Sequence, residues 1–240
     1  MKILSRIKGY GIILCLVKAI NKFCKNGAVF HFSEQGEDFL LSQYLRKRTG
    51  FYVDIGAFNP DIISITKLFY IRGWRGINID ANPIAIQRFQ RKRKRDINVN
   101  MGVSDNEAEL DYYSFEKHPG SNTFDKTHCE KHLQAHGDSC KIIKIKCATI
   151  NDILARHLPS GQHIDFINLD VENMEMRILK TFDFSKYAPD YFIVEDLSYA
   201  DAEKDFMDFK NSELCDFMTA NGYIVVAKTF YTILFRKRHM

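Results

Sequence analysis

FYVDIGAFNP, residues 51–60, opens with five strand-forming residues and then meets a glycine. Such a short apolar run closed by Gly56 reads as a buried strand. Downstream, the pattern predicts a helix over 62–71 that Gly73 stops, then a second apolar run, GINID at 76–80, ending in Asp80. Pro83 suits the first position of a helix reaching Arg95, and INVNMGV at 97–103 is the third strand. Strand, helix, strand, helix, strand requires a parallel sheet with right-handed crossovers.

The period then changes. ELDYYSF at 109–115 and KIIKIKCA at 141–148 are strand-like, and the polar, His-rich residues between them show no regular pattern. A stretch of that length, about 116–140, is expected to be a lid-like insertion or a disordered segment. TINDILARHL at 149–158 reads as a helix, HIDFINLD at 163–170 as a fourth parallel strand with its helix over 173–182, and DYFIVED at 190–196 as a fifth strand. A helix over 212–221 ends on Gly222, and YIVVAK and YTILFRK follow so closely on one another that they must pair antiparallel. The expected fold class is α/β: a Rossmann-like, mostly parallel sheet with a C-terminal antiparallel hairpin, which is the strand order of class I methyltransferases. An ordinary dinucleotide-binding sheet has no need of that final reversal.

With 240 residues, 45% of them hydrophobic, the chain can bury one good core, so a single domain over 33–240 is expected behind a basic amphipathic segment over 1–32. The net charge of +4 is mild and gives no reason to expect a nucleic-acid partner. Lys2, Arg6, Lys8, Lys18, Lys22 and Lys25 stand in the N-terminal segment without an acid, and its longest uncharged run, 9–17, is too short to span a bilayer. No small-residue cleavage site follows that run, so a secretory signal fits poorly. The segment reads as a basic surface for peripheral membrane contact through residues 1–26, or as a helix packed on the domain. RFQRKRKRD at 88–96 reads as the solvated end of a surface helix. Six cysteines without a C-x-x-C pair are expected to be reduced thiols of a cytoplasmic protein, and nothing in the sequence indicates an oligomeric state.

In an open parallel sheet, ligands bind at the carboxyl ends of the strands. Asp54, Gly56 and Ala57 end the first strand, and Gly56 alone would let backbone approach a small cofactor. The G-x-G-x-x-G of a pyrophosphate site is missing, which disfavours NAD(P) and hence an NAD(P)-linked oxidoreductase. Asp80, at the end of the second strand, can accept both hydrogen bonds of a ribose diol, and Ser104 and Asp105 stand where an adenine edge would lie. With Ser64 and Ala81 beside these turns, and Asp170 across from them, the set points to S-adenosylmethionine as cofactor.

These residues resemble the FkbM family of S-adenosylmethionine-dependent methyltransferases. Val53 to Ala57 match its "VDIGA" strand; Gly73-Trp74-Arg75-Gly76-Ile77 with Asp80 and Pro83 match its second strand; Ser104-Asp105 match its third; and Asp170, Val171, Glu172 and Glu175 match its "D-V-E-G-x-E". Ser33 to Asp38 look like the family's "S-Q-x-G-E-D" lead-in, so the resemblance runs over about 33–236. Three departures stand out: Asp80 for Glu, Asn59-Pro60 for Asn-x-Gly, and Asn173 for Gly. The resemblance implies an O-methyltransferase acting on a sugar, glycan precursor or related small molecule. If Pro60 and Asn173 disable turnover, the alternative is a non-catalytic binding module with the same fold.

Methyl transfer to a hydroxyl depends on positioning and on deprotonating the acceptor. Asp170, Glu172 and Glu195 are the catalytic candidates, while Glu175 is expected to do no more than start its helix. Asp170, Glu172, Glu195 and Asp196 together could collect a divalent ion through oxygen ligands, a reading held second to acid/base chemistry. His128, His132 and His136 recur every fourth residue and would share one face of a helix, with Cys129 and Cys140 nearby. Structural zinc usually recruits four firm ligands, so this segment is read as a lid over the acceptor with a histidine as occasional base.

Overall fold

The computed structural model describes residues 30–197 and 206–238. The described residues from Phe32 onward form one compact unit. Expectations for the basic N-terminal segment, and for Cys15 and Cys24 in it, lie outside the described residues. No helix among the described residues is long and apolar enough to cross a membrane.

In chain order the elements are α1 (Glu37–Tyr44), β1 (Phe51–Ile55), α2 (Lys67–Ile71), β2 (Arg75–Asp80), α3 (Pro83–Lys92), β3 (Ile97–Asn100), β4 (Gly102–Val103) and β5 (Ala108–Phe115). Then come α4 (Lys126–His136), β6 (Cys140–Ala148), α5 (Ile150–His157), β7 (Phe166–Leu169), α6 (Glu175–Leu179), β8 (Tyr191–Glu195), α7 (Glu213–Ala220), β9 (Tyr223–Lys228) and β10 (Thr232–Lys237). The main sheet has seven strands in the order β3-β2-β1-β7-β8-β10-β9. Its first five strands pair parallel, as expected. The reversal falls on β10, which inserts between β8 and β9 and runs antiparallel to both.

Every residue of β1 is buried, because both faces of the sheet are covered. Phe51, Val53 and Ile55 pack with Ile77, Ile79, Ile167, Leu169 and Val194 on one side. Tyr52 turns to the other, where it joins Phe69, Trp74 and Phe166. Phe166 is fully buried, with the Phe69 ring 4.9 Å away and the Tyr52 ring stacked at 5.7 Å. Truncating such a residue costs about 3–5 kcal/mol. The same face carries a row of polar side chains in register across four strands, Asn98, Asn78, Asp54 and Asn168. Asn78 donates to Asn98 and Asn168 donates to Asp54, which satisfies polar groups that burial would otherwise penalise.

The expected third strand is two. Its first half, β3, stays in the main sheet, while β4 leaves to pair parallel with β6 in a second sheet, β4-β6-β5. Gly102 permits this: a Cβ there would lie 2.5 Å from Cys147 Sγ and 2.6 Å from the Phe124 ring. β5 and β6 pair antiparallel along their lengths, from Ala108↔Cys147 to Phe115↔Cys140.

The segment expected to be irregular is ordered. A 3₁₀ turn, Pro119–Ser121, leads into α4, which Asp125 caps by accepting from Thr127 N–H and which Gly137 ends at φ 57°. Its buried positions are Cys129 and His132, so it lacks the aliphatic period that marks a helix in sequence. Three predicted helices are shorter than expected. α2 begins only at Lys67, since Ile63 sits at φ 52°. α6 begins only at Glu175, since Glu172 and Asn173 are both left-handed. α3 ends at Lys92 rather than Arg95.

Candidate active site

The carboxyl ends of β1, β2, β7 and β8 open into a cavity of about 280 Å³. Asp54, Gly56, Ala57, Ser64, Asp80, Ala81, Asp170, Glu172 and Glu195, all named from sequence, line it. Seven carboxylates reach it, those of Glu34, Glu37, Asp54, Asp80, Asp170, Glu172 and Glu195, and among the described residues no Lys or Arg does. An enclosed site of one sign attracts a ligand of the other.

Asp80 is the most prepared of the seven. One carboxylate oxygen accepts Phe58 N–H and the other Asn82 N–H, both at 2.7 Å. The second of these opens α3, where Asn82 is N-cap and Pro83 the first helical residue. The orientation is therefore set by backbone, leaving lone pairs on both oxygens for a ligand. Burial raises its pKa to about 6, against the pull of the two amides.

Gly56 also meets a second need. At φ 80° its missing Cβ would stand 1.6 Å from the carbonyl oxygen of Asp170, so the β7 loop approaches closely there. That contact, with Asp170 N–H donating to Ile55 C=O, clamps the ends of β1 and β7 together. Asp54 is nearly inaccessible and accepts from Thr66 Oγ1 and Asn168 Nδ2, so it braces the floor.

The loop over 56–66 is held by a residue that the sequence reading placed in a solvated run. Arg93 is fully buried beneath it, while Arg91, Lys92, Lys94 and Arg95 around it are exposed. Its guanidinium donates to Pro60 C=O at 2.8 and 3.1 Å, to Ser64 Oγ at 3.1 Å, to Tyr52 Oη at 3.3 Å and to Thr66 C=O at 3.4 Å. Pro60, a departure from the family pattern, is thus an anchor point. Asn59 beside it accepts from Asp61 N–H and turns the chain. Phe58 and Ile63, non-glycine residues at φ 49° and 52°, face the cavity from this loop. Backbone strain of this kind concentrates at functional sites.

Across the cavity the acids of β7 and β8 crowd together. An oxygen of Asp170 and one of Glu195 lie within 4.8 Å of each other, close enough for the two carboxyls to share a proton. Burial first, then the charge of its neighbours, raises the pKa of Glu195 strongly, so it holds that proton at neutral pH. Burial raises Asp170 less. Glu172 is raised by burial and then by Asp170, and its carboxylate lies 3.5 Å from His128 Nε2 on α4. Glu175 does not line the cavity; it is buried, accepts Val171 N–H at 2.8 Å, and has its pKa raised to about 7, chiefly by burial. It does more than start a helix, because its carboxylate closes the strained turn that carries Glu172. Asp170, Glu175 and Glu195 each offer an oxygen within 4.8 Å of the others, so the oxygens that converge include Glu175.

Asn173, the third departure, sits at φ 78°, where Asn is tolerated, and its side chain bonds Asp125, the N-cap of α4. With Thr123 Oγ1 donating to Glu172 C=O at 2.8 Å, it ties the insertion to the turn that carries Glu172. Pro119, Gly120, Ser121, Asn122 and Phe124 of the insertion wall the cavity.

Ser104 and Asp105 are not among the lining residues. Ser104 is buried against Ala148 and Asp105, while Asp105 forms an ion pair with Arg177 on α6 at 2.9 Å. Two lining acids came from outside the predicted site set. Glu34 and Glu37 belong to the Ser33–Asp38 lead-in, which Ser33 Oγ–H···Oδ1 Asp38 folds on itself. Gln35 and Glu37 accept from Tyr231 N–H and Thr229 Oγ1 in the β9–β10 turn. A polar motif before the first strand was the available signal.

Among curated proteins, none matches this chain. Among solved structures, a TehB-like SAM-dependent methyltransferase from Corynebacterium glutamicum superposes with a TM-score of 0.43 at 12% identity, over 93% of this chain and 96% of that one. At that similarity it adds nothing to the reading of the site. The Methyltransferase FkbM domain matches residues 54–225, from β1 through to β9, and thus every strand end that forms the cavity. The chain therefore belongs to the FkbM methyltransferase family, and it is a methyltransferase.

Proposed function

We propose that the chain transfers a methyl group from S-adenosylmethionine to a hydroxyl of a sugar, glycan precursor or related small molecule. One observation carries this reading: the cavity is lined by seven acidic side chains without a Lys or Arg among the described residues. That lining suits a positively charged methyl donor and an acceptor rich in hydroxyl donors. S-adenosylmethionine, when bound, supplies an electrophilic methyl on a cationic sulfur.

The residues present fit such a donor. Asp80 offers two oriented oxygens for a ribose diol, and Ala81, Met101, Val103 and Phe124 provide apolar surface beside it for a base. At the opposite wall, Glu195 keeps the shared proton and Asp170 takes the one that the acceptor hydroxyl loses. Two carboxyls in contact cannot both ionise cheaply, and this pushes their affinities for protons apart. Glu172, held beside His128, faces the same space and positions further acceptor hydroxyls. Family membership sets aside the oxidoreductase alternative.

Calorimetric titration with S-adenosylmethionine and its demethylated product, joined to a transfer assay over a panel of sugars, tests the proposal. Asp80→Ala should weaken donor binding, and Asp170→Ala should spare binding while lowering transfer. Absence of binding by either molecule would refute it. Binding without transfer, unchanged by Asp170→Ala, would make the chain a non-catalytic module.

A further inference from the structure

We propose that the insertion carries a site for a divalent transition-metal ion of the zinc type, built by His118, His132 and Asp138. One ligating atom from each of the three lies within 4.8 Å of the other two. This differs from the set that the four-residue histidine spacing pointed to. His118 enters from the loop before the 3₁₀ turn and Asp138 from the loop after α4, and neither belongs to that helix.

The polar atom left over inside the cluster points to a ligand. His132 is 8% exposed, and its Nε2 makes no hydrogen bond although it stands 3.8 Å from Asp138 Oδ2. A buried ring nitrogen without a partner carries a desolvation cost that a metal ion would remove. Neutral imidazole is a common side-chain ligand for such ions. The Asp138 side chain is covered and already oriented by backbone N–H groups of His118 and Ser139 and by His118 Nδ1 at 3.0 Å. A third imidazole, His136, lies one turn beyond His132, with ring centres 4.5 Å from His132 and 5.2 Å from His118. Imidazole with carboxylate favours zinc, cobalt or nickel over magnesium or calcium.

The site would have a mechanical consequence. His118 immediately precedes Pro119–Ser121, which wall the cavity, while His132 belongs to α4. An ion bridging them fixes the cavity wall to the helix whose N-cap Asp125 and His128 meet the Glu172–Asn173 turn. This does not depend on the identity of the methyl donor or acceptor.

The test uses the full chain, stripped with a chelator and titrated with zinc chloride, then with cobalt chloride as a spectroscopic probe. One equivalent of each should bind below micromolar concentration, with visible absorption of cobalt in a low-coordinate site. His118→Ala and His132→Ala should each weaken binding on the order of 100-fold, whereas His163→Ala, in a different cluster, should not. His118 is a solvent-facing residue, so its variant reports on binding even if His132→Ala fails to fold. Zinc should also slow amide hydrogen exchange over 117–122. Failure of either ion to saturate, binding only at millimolar ion, or binding unaffected by both substitutions would overturn the site. Binding that leaves exchange over 117–122 unchanged would overturn its link to the cavity wall.

Discussion

Replacing Arg93 with Met keeps most of the side-chain volume and removes the guanidinium. Five hydrogen bonds are lost, and the carbonyl of Pro60 loses both of its guanidinium donors. Asp54 and Asp96 also lose the nearby positive charge that lowers their pKa values against the effect of burial. Removing one member of a buried charged network costs about 3–5 kcal/mol. A single unsatisfied buried carbonyl accounts for about 1–3 kcal/mol of that. For a chain of this size the loss corresponds to a fall in Tm of roughly 10 °C. Urea denaturation followed by circular dichroism, with Arg91→Met as a control at an exposed neighbour, measures it. Arg93→Lys should recover part of the loss, since a point charge cannot reach four acceptors at once. If Arg93→Met stays within about 1 kcal/mol of the parent, or Arg91→Met costs as much, Arg93 is not what holds the loop over 56–66.

Glu175 has a folded-state pKa of about 7 against 4.5 for the free side chain, so the folded protein keeps a proton that the unfolded chain releases between those values. Stability should therefore fall as pH rises from 4.5 to 7. Glu175→Gln keeps an acceptor for Val171 N–H, so it should stabilise on the order of 2 kcal/mol at pH 8 and nothing at pH 4; parallel melting curves at the two pH values would contradict this. Gly56→Ala places a Cβ 1.6 Å from Asp170 C=O and should cost more than about 3 kcal/mol, while Gly137→Ala, also at positive φ but with open space around it, should cost only about 1–2 kcal/mol. Equal losses in denaturant melts would mean that φ alone matters. Asn173→Gly should be more stable than Asn173→Ala by about 1 kcal/mol, because both lose the bond to Asp125 but only Ala pays for the left-handed backbone at φ 78°. Indistinguishable midpoints would refute the backbone explanation.

The sequence by itself determined the parallel sheet, its closing reversal, and the strand ends at Asp54, Asp80, Asp170 and Glu195, because short apolar runs punctuated by glycine and acids are local signals. The family motifs that identified the chain's class stand at those same ends. Other features depended on distant partners. Arg93 is indistinguishable in sequence from the exposed basic residues beside it, and only the packing of α3 under the loop over 56–66 buries it. Gly56 reads as a general permission for close approach, but which group approaches is decided by β7 lying next to β1. α4 showed in sequence only through the four-residue spacing of its histidines, because its inner face is cysteine and histidine, and the His118–His132–Asp138 cluster needs two loops that converge only when the insertion folds. Local periodicity encodes the elements and their order, whereas charge burial, close contact and clustering arise between residues far apart in the chain, so the tertiary structure alone decides them.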